Sequence, residues 1–356
     1  MAIVTVAGAS NSTVALAYNN TGAAYTLANQ LAAVISQSTN IVRHQDTQGA
    51  PPTVPSGSTG QWVQTQPGLV LLPTGYVDLT VAAAVSVSGS TSARVTGVTP
   101  ANPNGSYIFG SGAANEAILL GNPAGTTVTF QANTGSGSVA GGVGDNKVII
   151  GAGDSGTWTI ALGDGNDTVN ATGSGLQIVD AGGGNNRIVL GAGPAQVTLN
   201  GDNTVFAGSG PSTITAAGDT RSLVQGAAGN LTYVGGAEAA TVFGGSGSDT
   251  FFGGTAAGTD VFKGGTHQDT FVVGAGSETV TGGTGANVFD VVSGTAGGHE
   301  LITNFTAAEQ LTLQGYAAGS ATITTGTSST VITLSDNTQI TLQNFTGLKA
   351  GNITYT

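Results

Sequence analysis

The residues best placed to do chemistry are carboxylates set in a glycine-rich repeat, clearest at Gly244-Gly245-Ser246-Gly247-Ser248-Asp249-Thr250-Phe251-Phe252. In such a nonapeptide the glycines let the backbone turn tightly at positive φ, the Asp carboxylate faces a cation, and the apolar eighth residue points into the core of a coil. A second copy, Gly264-Gly265-Thr266-His267-Gln268-Asp269, puts Asp269 twenty residues after Asp249, on the same corner of the next coil, with Asn287 next in line. Asp260 and Glu278, eighteen residues apart, fall on the opposite corner. Two carboxylates stacked ~5 Å apart repel by roughly 3 kcal/mol at an effective dielectric near 20, so each pair calls for a cation or a proton. The alternative is that these Asp and Asn residues only make turns.

The coils that would position these groups are legible over a longer stretch. Gly144-Asp-Asn-Lys-Val148, Gly165-Asn-Asp-Thr-Val169, Gly184-Asn-Asn-Arg-Ile188 and Gly201-Asp-Asn-Thr-Val205 share one pattern, and Gly218-Asp-Thr-Arg-Ser222 is a degraded fifth copy; their first glycines stand 21, 19, 17 and 17 residues apart. A second set of Gly corners lies midway between them. Two short strands and two corners per eighteen or so residues describe one coil of a two-sided roll, its neighbours stacked at the ~4.8 Å strand spacing. Val148, Val169, Ile188 and Val205 then form one interior ladder and Phe251, Phe271 and Phe289 another, each buried rung worth on the order of 1.5–3 kcal/mol.

The expected fold is all-β: a parallel β-roll or β-solenoid with a short N-terminal helical/β region and a C-terminal β cap. Its expected divisions are an N-terminal strand, helix and Pro-rich linker (1–60), a β-rich region (61–103), the solenoid repeats (104–298) and the cap (299–356). Residues 21–44 are the one stretch with helical periodicity, carried by Tyr25, Leu27, Leu31, Val34 and Ile35. In the cap, residues 331–342 read as a hairpin turning at Asp336-Asn337.

The nonapeptides resemble those of the repeats-in-toxin (RTX), or hemolysin-type calcium-binding, proteins over roughly residues 141–298, most strongly over 243–290. The resemblance implies calcium held between successive coils by backbone carbonyls and the Asp carboxylate. Carried over residue by residue, it designates Gly244, Gly245, Gly247, Asp249, Gly264, Asp269 and Asp167, and the stacked carboxylates Asp260 and Glu278 of the opposite corner complete the expected metal set. Other copies carry Asn146, Asn186 and Asn287 at the Asp position, and His267 replaces a motif glycine. Charge distribution places the calcium between about 243 and 290, because Asp167 is flanked by amides that can hydrogen-bond as a ladder. The resemblance also implies an uncleaved type I secretion signal in the cap, which agrees with an N-terminal segment carrying no Lys or Arg before Arg43.

Composition excludes several classes of function. Only seven Lys plus Arg against a net charge of −12 argues against nucleic acid or an anionic membrane as partner. Fourteen of the nineteen acids lie between Asp145 and Glu300, on the repeats, where divalent cations could compensate them. There is no cysteine, hence no disulfide, thiolate metal site or Cys nucleophile. No apolar run approaches a membrane span. No Ser has Gly at both minus two and plus two, and His299-Glu300 is not followed by the second His of a zinc-protease helix. Sixty glycines among 356 residues, with 7% charged residues, suit strands and tight turns.

These features point to a secreted, extracellular, non-enzymatic structural protein that self-assembles as a homo-oligomer or polymer: a matrix filament, adhesin or surface-layer component. The rival readings are an ice-binding module, a module binding cell-surface polysaccharide, and a polysaccharide-modifying enzyme. The strand-like opening, Ile3-Val-Thr-Val6, is expected to be free to pair with a neighbouring subunit.

Overall fold

The computed structural model describes residues 2–7, 13–18, 21–82, 85–88, 94–97, 105–109, 116–120, 125–130, 135–217, 221–255 and 259–356. Gly218, Asp219 and Thr220 of the degraded fifth copy lie outside them. The chain is an all-β parallel β-solenoid with one short helix, and it divides into two compact units, Met1–Gln196 and Val197–Thr356.

In the first unit successive strands alternate between two parallel sheets. One sheet begins Ile41–Gln45, Thr59–Gln64, Tyr76–Val81 and Arg94–Gly97; the other begins Gly68–Leu71, Val85–Ser88 and Gly105–Phe109. Parallel stacking therefore starts at Ile41, well before the expected start of the repeats at 104. The early coils lack the Gly-Asp/Asn punctuation that makes the later ones visible, and their corners contain proline and longer loops instead. Further along, Val148 stacks on Val169 and Val169 on Ile188, all buried, as the repeat phase requires.

The amino terminus differs from expectation. Ala2–Ala7 pairs antiparallel with Thr13–Tyr18 in a hairpin of the same chain, and the helix is shorter than the 21–44 expected, spanning Ala23–Ser36. Ala24, Ala28, Ala32 and Ile35 are its buried stripe, packed in one core with Val4, Val6, Leu16 and Tyr18 of the hairpin and Leu119, Ala140 and Ala161 of the solenoid. Tyr25, Leu27 and Leu31 are only partly buried, and Val34 is exposed. Of the five apolar residues that carried the expected periodicity only Ile35 lies in this stripe; alanines form the rest of it because their small side chains let the helix lie close against the sheet. Tyr18 Oη donates to the Ala140 carbonyl at 3.1 Å. Arg94 pairs with Asp78 at 2.6 Å and donates to Val34 O and Ser38 Oγ at the helix end. The first strand is thus a docked part of its own unit.

In the second unit the interior is aromatic. Phe251, Phe271 and Phe289 occupy equivalent positions on adjacent strands, with ring centroids 4.9 and 5.3 Å apart and interplanar angles of 6° and 12°. Phe262 stacks on Phe251 from the facing sheet at 5.5 Å. The parallel stack continues through the expected cap: Gln310–Gln314 pairs with Val288–Val292 and Ile353–Tyr355 with Gln310–Gln314. The other sheet ends in an antiparallel meander, Thr322–Thr325, Ser329–Thr333 and Gln339–Gln343, whose last strand joins His299–Ile302 in parallel. Its turn is at Asp336-Asn337, with Asn337 at φ 70°.

Because Phe271 is sandwiched between two stacked rings, Phe271→Ala should cost roughly 3–5 kcal/mol, whereas Thr270→Ala on the outward face should fall within about 0.5 kcal/mol of the parent. Urea unfolding followed by circular dichroism measures both.

Candidate metal centre

The corner positions form columns whose geometry follows from coil stacking. At six of these Asp/Asn positions the side chain turns inward and accepts, through one oxygen, a backbone N–H of the preceding coil, whereas Asn203 Oδ1 is buried without a partner. In the first unit Asn146 Oδ1 accepts from Thr126 N at 3.2 Å, Asp167 Oδ1 from Asn146 N at 2.6 Å, and Asn186 Oδ1 from Asp167 N at 2.8 Å. In the second, Asp249 Oδ1 accepts from Leu231 N at 2.7 Å, Asp269 Oδ1 from Asp249 N at 2.8 Å, and Asn287 Oδ1 from Asp269 N at 3.0 Å. Asp167, Asp249 and Asp269 are all buried. Asp249 and Asp269 therefore share the corner that their spacing implied.

The second side-chain atom separates Asp from Asn copies. Asn146 Nδ2 donates to Gly142 O and Gly144 O at 3.1 and 2.8 Å, Asn186 Nδ2 to Gly182 O at 3.3 Å, and Asn203 Nδ2 to Asn200 O and Gly201 O at 3.2 and 2.7 Å. The corner is a socket lined with carbonyl oxygens and shaped for a donor. In the Asp copies an oxygen enters that socket, and Oδ2 of Asp167, Asp249 and Asp269 is buried without a hydrogen-bond partner. A buried acceptor facing other acceptors is costly, and a proton on the carboxyl or a cation in the socket would relieve it.

Gly244 and Gly264 complete the sockets. A β-carbon at Gly244 would collide with Asp249 Oδ2 and the Gly264 carbonyl, and one at Gly264 with Asp269 Oδ2 and the Gly282 carbonyl. Gly245, at φ 106°, and Gly247 lie directly against the preceding coil, at Ala227 O and Gly229 O respectively. His267, standing where the motif has glycine, adopts φ 79°, a conformation that its β-carbon disfavours.

Asp260 and Glu278 are in register on adjacent strands. Asp260 accepts Ala240 N and Gly254 N at 2.8 and 3.0 Å, one on each oxygen, so both oxygens have donors, although burial outweighs them and raises its pKa. Glu278 accepts Gly274 N at 2.9 Å, and Glu300 accepts Glu278 N at 2.9 Å. Glu278 Oε2 and Glu300 Oε1 are buried without donors. Burial first, then the neighbouring carboxyl, holds Glu300 well above the usual carboxylate range, and burial raises Glu278 as well. This column has the arrangement of carboxyls sharing a proton.

Two members were missed. Glu300 extends the Asp260 column, and Glu309 ends the Asp249 column by accepting Asn287 Nδ2 and Thr306 N at 2.9 and 2.6 Å. Both lie 22 residues after their predecessors, Glu278 and Asn287, a spacing that would have found them had the repeats not been expected to stop at 298.

The test for calcium is whether these sockets offer it ligands. Among the described residues no three His, Asp or Glu side chains converge on one point; at Asp249 and Asp269 the donors would be one free carboxylate oxygen and backbone carbonyls. Hard oxygen donors of that kind suit a divalent cation such as calcium. Compared with known proteins, the chain matches no protein-family model and no curated sequence.

Burial also raises Asp167 to about 7 and Asp269 to about 7, partly offset by the backbone N–H each accepts. With the folded value above the unfolded one near 3.8, the folded state binds more protons between the two. In metal-free buffer the stabilisation is therefore fully present below about pH 4 and lost as pH rises toward 7, with a slope of up to about 1.4 kcal/mol per pH unit for each such group. Asp167→Asn, which supplies the missing donor, should raise the melting temperature at pH 8 and flatten the dependence between pH 4 and 8; calorimetry across that range measures both.

Proposed function

We propose that this chain is a secreted extracellular structural protein of the RTX type whose solenoid is stabilised by calcium at the Asp249/Asp269 corner and which associates with further copies of itself as a matrix filament, adhesin or surface-layer component. The observation that carries this reading is the placement of the acids. The buried carboxylates of both corner columns in the second unit, Asp249, Asp269, Asp260, Glu278 and Glu300, are hydrogen-bonded to backbone N–H groups, four of them on a neighbouring coil. They serve coil stacking, which is the part a structural protein requires of them, and the same regularity counts against an enzyme. Among the described residues no helix is long and apolar enough to cross a membrane.

Calcium in the sockets would be held by Asp249 Oδ2, Asp269 Oδ2 and the carbonyls beside Gly244 and Gly264, and Asp167 offers the same chemistry in the first unit. The cation would neutralise carboxyls that otherwise need protons, so its effect grows above pH 7. A hemolysin-type export route, with its address in the C-terminal segment, belongs to the same proposal.

A second reading, a module that binds ice or a cell-surface polysaccharide, draws on one feature. Thr213, Thr232, Thr250 and Thr270 stand in register on four successive strands, a regular outward row of hydroxyls. The parallel row Val234, Phe252 and Val272 is apolar, so the face lacks a second hydroxyl row. Thermal hysteresis and glycan-array measurements test these activities.

At a hundredfold excess over its dissociation constant, a cation that binds only the folded state adds ~2.7 kcal/mol. Melting at pH 8 should therefore move upward with Ca²⁺, and a variant carrying Asp249→Asn with Asp269→Asn should start from a higher metal-free value and lose most of the calcium response. An unchanged melting curve on chelation of the parent chain at pH 8 would refute the metal assignment, and a strictly monomeric chain by light scattering in millimolar calcium would refute the structural role.

A further inference from the structure

Among the described residues of the first unit the solenoid sheets begin with strands paired on one side: Ile41–Gln45, joined there only to Thr59–Gln64, and Gly68–Leu71, joined only to Val85–Ser88. Among the described residues of the second unit they end with two more, Thr322–Thr325, joined there only to Ser329–Thr333, and Ile353–Tyr355, joined only to Gln310–Gln314. A strand edge presents a row of backbone N–H and C=O groups that another extended strand satisfies in full, so such an edge specifies its partner's chemistry.

The four edges are not equally guarded. Ile41–Gln45 carries Arg43, an exposed charge of the kind that discourages strand addition, and Ile353–Tyr355 is only three residues long. Gly68–Leu71 has neither charge nor proline; Val70 is buried while Leu69 and Leu71 are 64% and 61% exposed. In Thr322–Thr325 every residue is exposed, including Ile323 at 47%, and none is charged. This last strand is bare on both faces as well as along one edge.

Charge narrows the partner. Two copies of a chain with net charge −12 repel wherever their acids meet. The sequence has no Asp, Glu, Lys or Arg between Asp46 and Asp78, the segment that holds Gly68–Leu71, and none between Glu309 and Asp336, the segment that holds Thr322–Thr325. Contact between these two segments brings no like charges together and buries three exposed aliphatic side chains with the free edges.

We propose that Gly68–Leu71 of one copy and Thr322–Thr325 of another pair edge to edge, as the two halves of a heterologous contact between copies of this chain. The proposal rests on the self-association reading and names its surfaces. A contact of this kind, joining two different surfaces, propagates into a filament unless its rotation closes a ring. The docked N-terminal hairpin is not required for it.

The chain has no cysteine, so single-cysteine variants of the full-length protein report contacts without background. Leu69→Cys and Ile323→Cys, mixed and treated with a short bis-maleimide, should cross-link severalfold more than either alone, and more than either mixed with Leu223→Cys, an exposed position on an internal strand. Leu69→Lys with Leu71→Lys should raise the concentration at half-assembly roughly tenfold, equal to about 1.4 kcal/mol, with circular dichroism and melting temperature unchanged. Cross-linking of Leu69→Cys chiefly to itself, or a mixed yield no higher than the Leu223→Cys control, would overturn the pairing, as would lysine variants that assemble like the parent. In those cases assembly of the parent chain still upholds self-association, whereas a monomeric parent overturns both readings.

Discussion

Everything in this molecule depends on one constraint: coils stacked at the ~4.8 Å spacing of paired strands put each residue directly against its counterpart on the next coil. No room is left at the corners for a side chain to choose its neighbours. A β-carbon at Gly265 would run into the carbonyl of Gly245, and one at Gly184 into that of Gly165. In the interior the same spacing makes phenylalanine rings stack nearly parallel. The repeat therefore propagates its own composition, since what fits on one coil must fit beside the same thing on the next.

For charged groups the constraint is severe. Repetition of an acid at one corner brings like charges together in a dry place, where burial alone raises carboxyl pKa values. The chain handles this in two ways. In the first unit Asp167 is flanked by Asn146 and Asn186, whose amides both accept the neighbouring N–H and donate into the carbonyl-lined socket. In the second, Asp249 and Asp269 follow directly on one another, and the column is closed by Asn287 and Glu309. Asn146 and Asn186 have both polar atoms of the amide paired within the protein, whereas Oδ2 of Asp167, Asp249 and Asp269 is buried without a hydrogen-bond partner. That difference of one atom leaves an unpaired buried carboxylate oxygen in the Asp coils where the amides of Asn146 and Asn186 donate to backbone carbonyls.

The solenoid and its aromatic and aliphatic ladders were legible because the repeat writes them in period: Val148 with Val169 and Ile188, and Phe251 with Phe271 and Phe289, could be aligned from spacing alone. Asp249 and Asp269 were paired on the same grounds, and Asp260 with Glu278. That the strands of the β-rich region over 61–103 already belong to a parallel stack beginning at Ile41 was not legible, because proline-containing corners and longer loops replace the Gly-Asp/Asn signal there. Glu300 and Glu309 were hidden by lengthened intervals at the end of the repeat. The docking of the amino-terminal hairpin was beyond a periodic reading, since its contacts, such as Tyr18 with Ala140, join residues 122 apart.

By itself the sequence determined which residues share a rung and which corners are acidic, because in a stacked coil translation by one repeat maps each residue onto its neighbour. Only the tertiary structure decided what those acids face. One carboxylate oxygen meets a backbone N–H, and the other enters a pocket of carbonyls at Asp249 and Asp269, whereas at Asp260 both oxygens find donors. It also decided that the helix buries its alanines instead of its leucines. Such outcomes depend on the direction of individual bonds and the closeness of facing backbones, and one-dimensional spacing carries neither.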